Sequence, residues 1–254
     1  MINLKSKKDI EGLRAAGKIV AETFVLIQPM IQSGVKLEQI DKSAEKFLIS
    51  KGAEPLYKGI RQRQYQRPFP GVICASVNNQ ICHGIPDGRS LVDGDIVGID
   101  IGLQYNGWCG DACVTYAVGT LNPPTQKLVD TARQALKLGI QAAQPGNRIG
   151  AIGAAIEAYV LKQGYSVVRE YGGHGIGKSL WEEPFIPHIG PSDRGAKIQP
   201  GMVINIEPMI NFGKPETRVL QDEWTVVTAD GSLSAQFEHM VAITENGPEI
   251  LSIV

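Results

Sequence analysis

The sequence predicts an α/β chain (α+β in how it segregates helices from sheets) in which two helix-plus-antiparallel-sheet halves face a central cleft. Three observations lead there. Two helical patterns are followed by strand patterns, and the same order returns later in the chain. A shift of 112 positions keeps the helical faces in phase: Gly34 falls on Gly146, Leu37 on Ile149, Ile40 on Ile152, Glu45 on Glu157, Phe47 on Tyr159 and Gly52 on Gly164. The stretches LVDGDIVGID and IQPGMVINIE each place a glycine six positions before a carboxylate, 94 before 100 and 201 before 207. A period near half the chain marks one duplicated unit and not a solenoid. The expected organisation is a single domain over 1–254, with halves of approximately 6–120 and 122–250 and a seam at Leu121-Asn122-Pro123-Pro124.

Each element has its own warrant. Ile10, Leu13, Val20, Phe24, Ile27 and Ile31 recur at helical spacing over 6–31, and Ser6 can cap that helix. Leu37, Ile40, Ala44, Phe47 and Leu48 share one face of a second helix over 35–51, which Gly52 stops. A buried strand is expected over 95–103. A turn at Asn106-Gly107 brings the next strand, within NGWCGDACV, alongside it. Helices return over 123–143 and 148–163, the latter stopped by Gly164. Strands return over 202–210 and 235–243, where alternation puts Glu238, Met240 and Ala242 on one face and turns His239 away.

Composition narrows the class. With 254 residues, 43% apolar and 20% charged, the chain can bury a substantial core and reads as an ordinary soluble protein. A net charge of −1 offers no basis for nucleic-acid recognition or for an anionic membrane. No apolar run is long enough to span a bilayer, and the opening MINLKSKKDIEGLRAAGK holds no signal-peptide core, so a cytoplasmic protein is expected. Cys74, Cys82, Cys109 and Cys113 lack zinc-finger spacing and read as reduced, buried thiols. The 29 glycines and 15 prolines, with no low-complexity tract, point to many tight turns in ordered structure.

The chemistry concentrates in a few residues. Asp100 and Glu207 lie in apolar runs, where an acid must be paired or metal-bound. Asp111 follows Asp100 by one hairpin, and Glu238 lies in SAQFEHMVAI. Two such acids could be structural ion-pair partners. Four have too few bases near them, because 95–103, 202–210 and 235–243 contain no Lys or Arg. Four carboxylates converging on a cleft repel, and a divalent cation removes that repulsion. His174, among the glycines of GGHGIG, is the natural imidazole ligand, with glycine allowing close approach. The same glycines could cradle phosphate, but Pro184 and Pro187 follow where a helix would be needed. His83 in ICHGIP reads as either structural or a second cleft residue. His188 and His239 read as structural.

Asp100, Asp111, His174, Glu207 and Glu238, in this order and spacing, resemble the metal ligands of the type I methionine aminopeptidases. CASVNNQICHGIP, SVVREYGGHGIG, PGMVINIEPM, DEWTV and SAQFEH extend the resemblance over nearly the whole chain. It implies the duplicated pita-bread fold, two divalent ions (Co, Mn, Fe or Zn) and hydrolysis of the initiator methionine from nascent polypeptides with a small second residue. It also implies a monomer that meets the ribosome transiently, if at all. By the resemblance, Asp100 chelates one ion, Asp111 and Glu238 bridge the pair, and His174 and Glu207 complete the other. Glu207 also takes the proton of the attacking water, and His83 hydrogen-bonds substrate and assists proton transfer. Phe69, Cys74 and Trp224 match the methionine pocket. The departures are Ala112-Cys113, where Thr-Ser is usual, the stretch IRQRQYQRPFP, and Trp181, which stands where the family has a histidine that touches the scissile peptide group. Trp181 could pack in the cleft wall with its indole N–H replacing the lost donor. Shifted specificity, reduced activity and a catalytically silent binding module are the alternatives, and the complete ligand set counts against the last.

Overall fold

The computed structural model describes residues 2–253. Ser6 Oγ accepts from the Asp9 N–H while Asp9 accepts from the Ser6 N–H, and this capping box starts α1 (Lys7–Ile27). A 3-10 turn, Gln28–Met30, tightens its end at Pro29. Helix α2 (Leu37–Ser50) stops at Gly52, whose φ of 72° only glycine adopts freely. Asn122 caps α3 (Pro123–Ala142), and α4 (Gly150–Lys162) stops at Gly164. Helices α2 and α4 both begin two residues later than the periodicity suggests. The cause is the same in each half: Lys36 bridges Ser90 and Arg148 bridges Lys197, which holds the entry to the helix extended.

In the first half, β1 (Glu54–Pro55), β2 (Cys74–Val77), β4 (Ile96–Tyr105) and β5 (Trp108–Ala117) form one antiparallel sheet, and β3 (Gln80–Cys82), which follows β2, lies outside it. The β4–β5 turn carries Asn106 at φ 49° and Gly107 at φ 79°, the left-handed pair of a tight hairpin. Val97, Ile99, Ile101 and Leu103 of β4 pack with Val20, Phe24, Ile40 and Leu48 of the helices. Alternation therefore turns Asp100 to the opposite face, in mid-strand.

The second half contains β6 (Ser166–Val167), β7 (Gly173–Gly175), β8 (Glu182–Ile186), β9 (Val203–Ile206) and β10 (Met209–Asn211). It continues with β11 (Thr217–Val219), β12 (Val226–Thr228), β13 (Ser234–Gln236), β14 (His239–Thr244) and β15 (Gly247–Ile250). Its main sheet runs β15-β14-β9-β7-β8, and α3 and α4 cover it through Leu136, Ile152, Ile156, Ile204 and Val241.

The two strands expected over 202–210 and 235–243 are each broken in two. Ile206 pairs with His239 and Met209 with Gln236, so one register runs through the break and sets Glu207 against Glu238. Pro208 has no N–H to give the ladder. The Glu238 N–H donates instead to the Cys113 carbonyl on β5, at 2.9 Å. Thr115 Oγ on β5 also donates to the Gln236 carbonyl at 2.6 Å and accepts from the Gln236 N–H at 3.0 Å. The halves are joined along this line, with a cleft between them.

Candidate metal centre and its cavity

A cavity of about 250 Å³ opens between the halves. Asp100, Asp111, His174, Glu207, Glu238, His83, Phe69, Cys74, Trp181 and Trp224 all line it. On the β4–β5 hairpin, Asp100 lies opposite Cys113, and Asp111 lies opposite Gly102. The two aspartates therefore share a face, offset by two pairs. The break after β9 frees Glu207, and the break before β14 frees Glu238.

The glycines around His174 form strand β7 and not a loop. A Cβ at Gly173 would strike the Asn205 carbonyl, and one at Gly175 would strike that of Glu183. Their absence lets β7 sit tightly between β8 and β9, and this aims the imidazole. No helix opens here, so no phosphate cradle is built. His174 Nδ1 lies 3.0 Å from the Gly175 carbonyl, which makes Nδ1 the protonated nitrogen. The lone pair of Nε2 then faces Asp111 Oδ2 and Glu207 Oε1, each at 3.7 Å.

Other polar groups hold the carboxylates in place. The Tyr57 hydroxyl lies 2.6 Å from Asp100 Oδ1 and 2.9 Å from Asp111 Oδ1. Gly102 leaves room for its ring, and the Leu56 N–H bonded to the Gly102 carbonyl brings Tyr57 over β4. Asn205 Nδ2 donates to Asp111 Oδ2 at 2.9 Å and to Glu238 Oε1 at 2.8 Å. Gln236 Nε2 donates to Glu207 Oε2 at 3.2 Å. The sequence reading missed these three. Asn205 and Gln236 sit two residues before Glu207 and Glu238, so strand alternation was a usable signal; Tyr57 lies outside any periodic segment. His188, expected to be structural, accepts the Glu207 N–H on Nε2 at 3.2 Å and so steadies that residue. His239 turns away to Ser252 Oγ, 2.9 Å off, as the alternation requires.

Burial raises all four carboxyl groups. Asp100 is pushed up to about 6 by burial, against the Tyr57 hydrogen bond. Asp111, Glu207 and Glu238 are held well above the usual range, first by burial and then by one another's charge. The cavity lining includes no lysine or arginine to offset them. Burial lowers His174 despite its bond to Gly175, which leaves the imidazole neutral and able to ligate. One ligand atom each of Asp111, His174 and Glu238 lies within 4.8 Å of the others. Oxygen-rich carboxylates with one neutral imidazole fit a divalent first-row ion, and such an ion relieves the repulsion.

Beside the carboxylates lies an apolar recess. Phe69 meets Trp224 edge-on at 5.3 Å, and Tyr57 meets Phe69 edge-on at 6.5 Å. Trp224 Nε1 donates to the Arg67 carbonyl at 2.7 Å, so the indole's polar edge is satisfied at the rear. Cys74 and Met209 complete the wall, and all four cysteines are free and buried. His83 enters from a left-handed backbone, φ 55°, and stands edge-on to Tyr171 at 5.9 Å. Burial lowers it to about 4, so it is neutral near pH 7. Trp181 is 53% exposed and stands at the mouth with Phe185, not packed into the cleft wall.

Residues 11–245 match the profile of Metallopeptidase family M24. The chain is 45% identical to methionine aminopeptidase 1 of Bacillus subtilis (strain 168) over 254 residues, covering all of both chains. It is 43% identical to the methionine aminopeptidase of Clostridium perfringens (strain 13 / Type A), again covering all of both. The crystal structure of methionine aminopeptidase from Rickettsia prowazekii superposes with a TM-score of 0.95 at 39% identity, covering 100% of each chain.

Proposed function

The chain belongs to metallopeptidase family M24, and from that we infer that it is a type I methionine aminopeptidase, a metal-dependent hydrolase that removes the N-terminal methionine of polypeptides. The observation that carries this reading is the convergence of four buried carboxylates and one neutral imidazole beside an apolar recess. Asp100, Asp111, His174, Glu207 and Glu238 would hold two divalent ions, drawn from Mn, Fe, Co and Zn. When bound, these ions supply Lewis acidity at the scissile carbonyl and lower the pKa of the attacking water.

The residues do the rest. Phe69, Cys74 and Trp224 receive the unbranched methionine side chain, whose polarisable sulfur suits an aromatic wall. Glu207 takes the proton of the attacking water and passes it toward the leaving amine. His83, neutral and fixed by Tyr171, donates a hydrogen bond to the substrate. Trp181 at the mouth crowds the second residue and favours a small one. The reading extends to one catalytic domain over 1–254 that works as a cytoplasmic monomer on nascent chains and meets the ribosome transiently. Among the described residues, no helix is long and apolar enough to cross a membrane.

The test is hydrolysis of Met-Ala peptides beside a panel with other first residues, with Mn²⁺ or Co²⁺ added. Methionine should be released fastest and chelation should abolish release. Faster release of Leu or Pro would replace this specificity with another of the same fold.

A further inference from the structure

The loop 60–69 borders the cavity and carries charge that the proposed reaction does not use. Ile60, Gln62 and Phe69 line the cavity, while Arg61, Arg63 and Arg67 are exposed. The arginines that pair with carboxylates among the described residues are Arg14, Arg133 and Arg194; none of the three loop arginines does so. The loop is nevertheless anchored. The Gln62 N–H donates to Gln66 Oε1 at 2.8 Å, and Gln66 Nε2 donates to the Glu223 carbonyl at 2.8 Å. The Arg67 N–H donates to Glu223 Oε2 at 3.0 Å, and the Arg67 carbonyl receives Trp224 Nε1. Arg63 is near enough to Tyr171, on another wall of the cavity, for its charge to act on that hydroxyl. Glu170 acts on the same Tyr171 hydroxyl, and Glu223 anchors the loop backbone.

We propose that this rim selects peptides with acidic residues from the third position onward. The proposal rests on the methionine aminopeptidase reading of the same cavity. A cavity of about 250 Å³ accommodates the first residue and a small second one. An extended chain advances roughly 3.3 Å per residue, so the third to fifth residues pass the mouth. Two divalent ions would balance the four carboxylates of the interior, so the charge that a peptide meets beyond its first two residues is mainly that of the exposed arginines of this loop. Acidic residues just behind those two match it. Exposed charges act mainly on encounter and on KM, and salt screens them.

The metal-loaded enzyme should be assayed with Met-Ala-Ala-Ala-Ala-Gly and with Met-Ala-Ala-Asp-Glu-Gly. The acidic peptide is expected to show a kcat/KM about 3- to 10-fold higher, expressed in KM, the size that two or three exposed charge pairs supply. The preference should vanish at about 0.5 M salt, where screening acts within roughly 4 Å. It should also vanish in the double variant Arg61→Gln, Arg63→Gln with the neutral peptide unaffected, which also shows that the variant folds. Equal kcat/KM for both peptides at low salt overturns the proposal while leaving the methionine aminopeptidase reading intact. Equal rates together with arginine-dependent binding of poly(U) would make the rim a nucleic-acid contact, and also overturn it. If neither peptide releases methionine, the underlying reading fails and the rim's selectivity falls with it.

Discussion

Removing the divalent ions should make the protein lose stability as pH rises above about 7.5. In the metal-free fold, Asp111, Glu207 and Glu238 hold protons at pH values where the unfolded chain has lost them, since unfolded carboxyls titrate near 4. Four carboxyl groups in one cavity without a cation repel, so the fold keeps a proton there well past the pH at which the unfolded chain has lost it. Up to about pH 7.5 an opposite effect intervenes. Burial lowers His83 and His239 to about 4 and His188 to about 3, and it also lowers His174. Between these values and about 7.5 the unfolded chain, whose histidines titrate near 6.5, binds more protons at histidine, so these groups favour stability rising with pH and offset the acids. Above about 7.5 the histidines are almost wholly neutral in both states and the raised acids dominate, joined by the buried thiols of Cys74, Cys82 and Cys113, which burial also raises. Each retained proton then costs about 1.4 kcal/mol of stability per pH unit. For a chain of this size that is a fall of roughly 3–5 °C in Tm per unit. Ion binding should abolish the fall, because the ligands bind as anions and protons compete with the metal. Calorimetry of EDTA-treated and Mn²⁺-loaded protein at about pH 7.5, 8 and 8.5 is the assay, and the difference between the two forms cancels the histidine and thiol contributions common to both. A metal-free Tm that falls no more steeply than the Mn²⁺-loaded Tm over that range refutes the reasoning.

Two further outcomes are expected. Tyr57→Phe removes the hydroxyl shared by Asp100 and Asp111 while keeping the ring that packs on Phe69, and should weaken Mn²⁺ binding about 10–100-fold, as read by electron paramagnetic resonance titration of the metal-free protein; unchanged affinity would remove Tyr57 from the centre. Trp181→His should alter stability by no more than about 0.5 kcal/mol, because Trp181 is 53% exposed, and should raise kcat more than it lowers KM by restoring a donor to the transition state. A stable variant with unchanged or lower kcat would make the indole a working part of the site.

Asp100, Glu207 and Glu238 stood out because charge inside an apolar run is costly and needs a partner; Asp111 followed only from its hairpin and His174 from its glycines, and the resemblance joined the five. That cost is visible one residue at a time. Tyr57 was not legible in this way: a tyrosine in a coil costs nothing by itself, and only the pairing of β1 with β4 brings its hydroxyl to two aspartates. His83 was ambiguous for a related reason. Its left-handed backbone, and the Ala75 carbonyl that excludes a Cβ at Gly84, are properties of the folded hairpin and leave little trace in the order of residues. The family resemblance supplied what local physics did not.

The two broken strands mark where periodicity misleads. Alternation reports which face a side chain takes, and it continues unchanged across Glu207-Pro208 and Phe237-Glu238. It says nothing about where each N–H goes. Pro208 withdraws one donor from the second-half ladder, and Glu238 sends its own to Cys113, which lies in the other half of the chain. In the first half the equivalent hairpin is continuous, with Asp100 and Asp111 inside it. The duplicated halves are therefore unequal along this line, one of the places where they meet, another being the pairing of β3 with β12. A second unbroken ladder would have kept the Glu238 N–H within its own sheet and left that backbone bond between the halves unmade. The interruption instead frees Glu207 and Glu238 toward the cleft and ties the halves together beside the same carboxylates. Binding of ions at this centre and cohesion of the two halves consequently draw on one set of residues, which is why removing the metal should be felt in the stability of the whole fold.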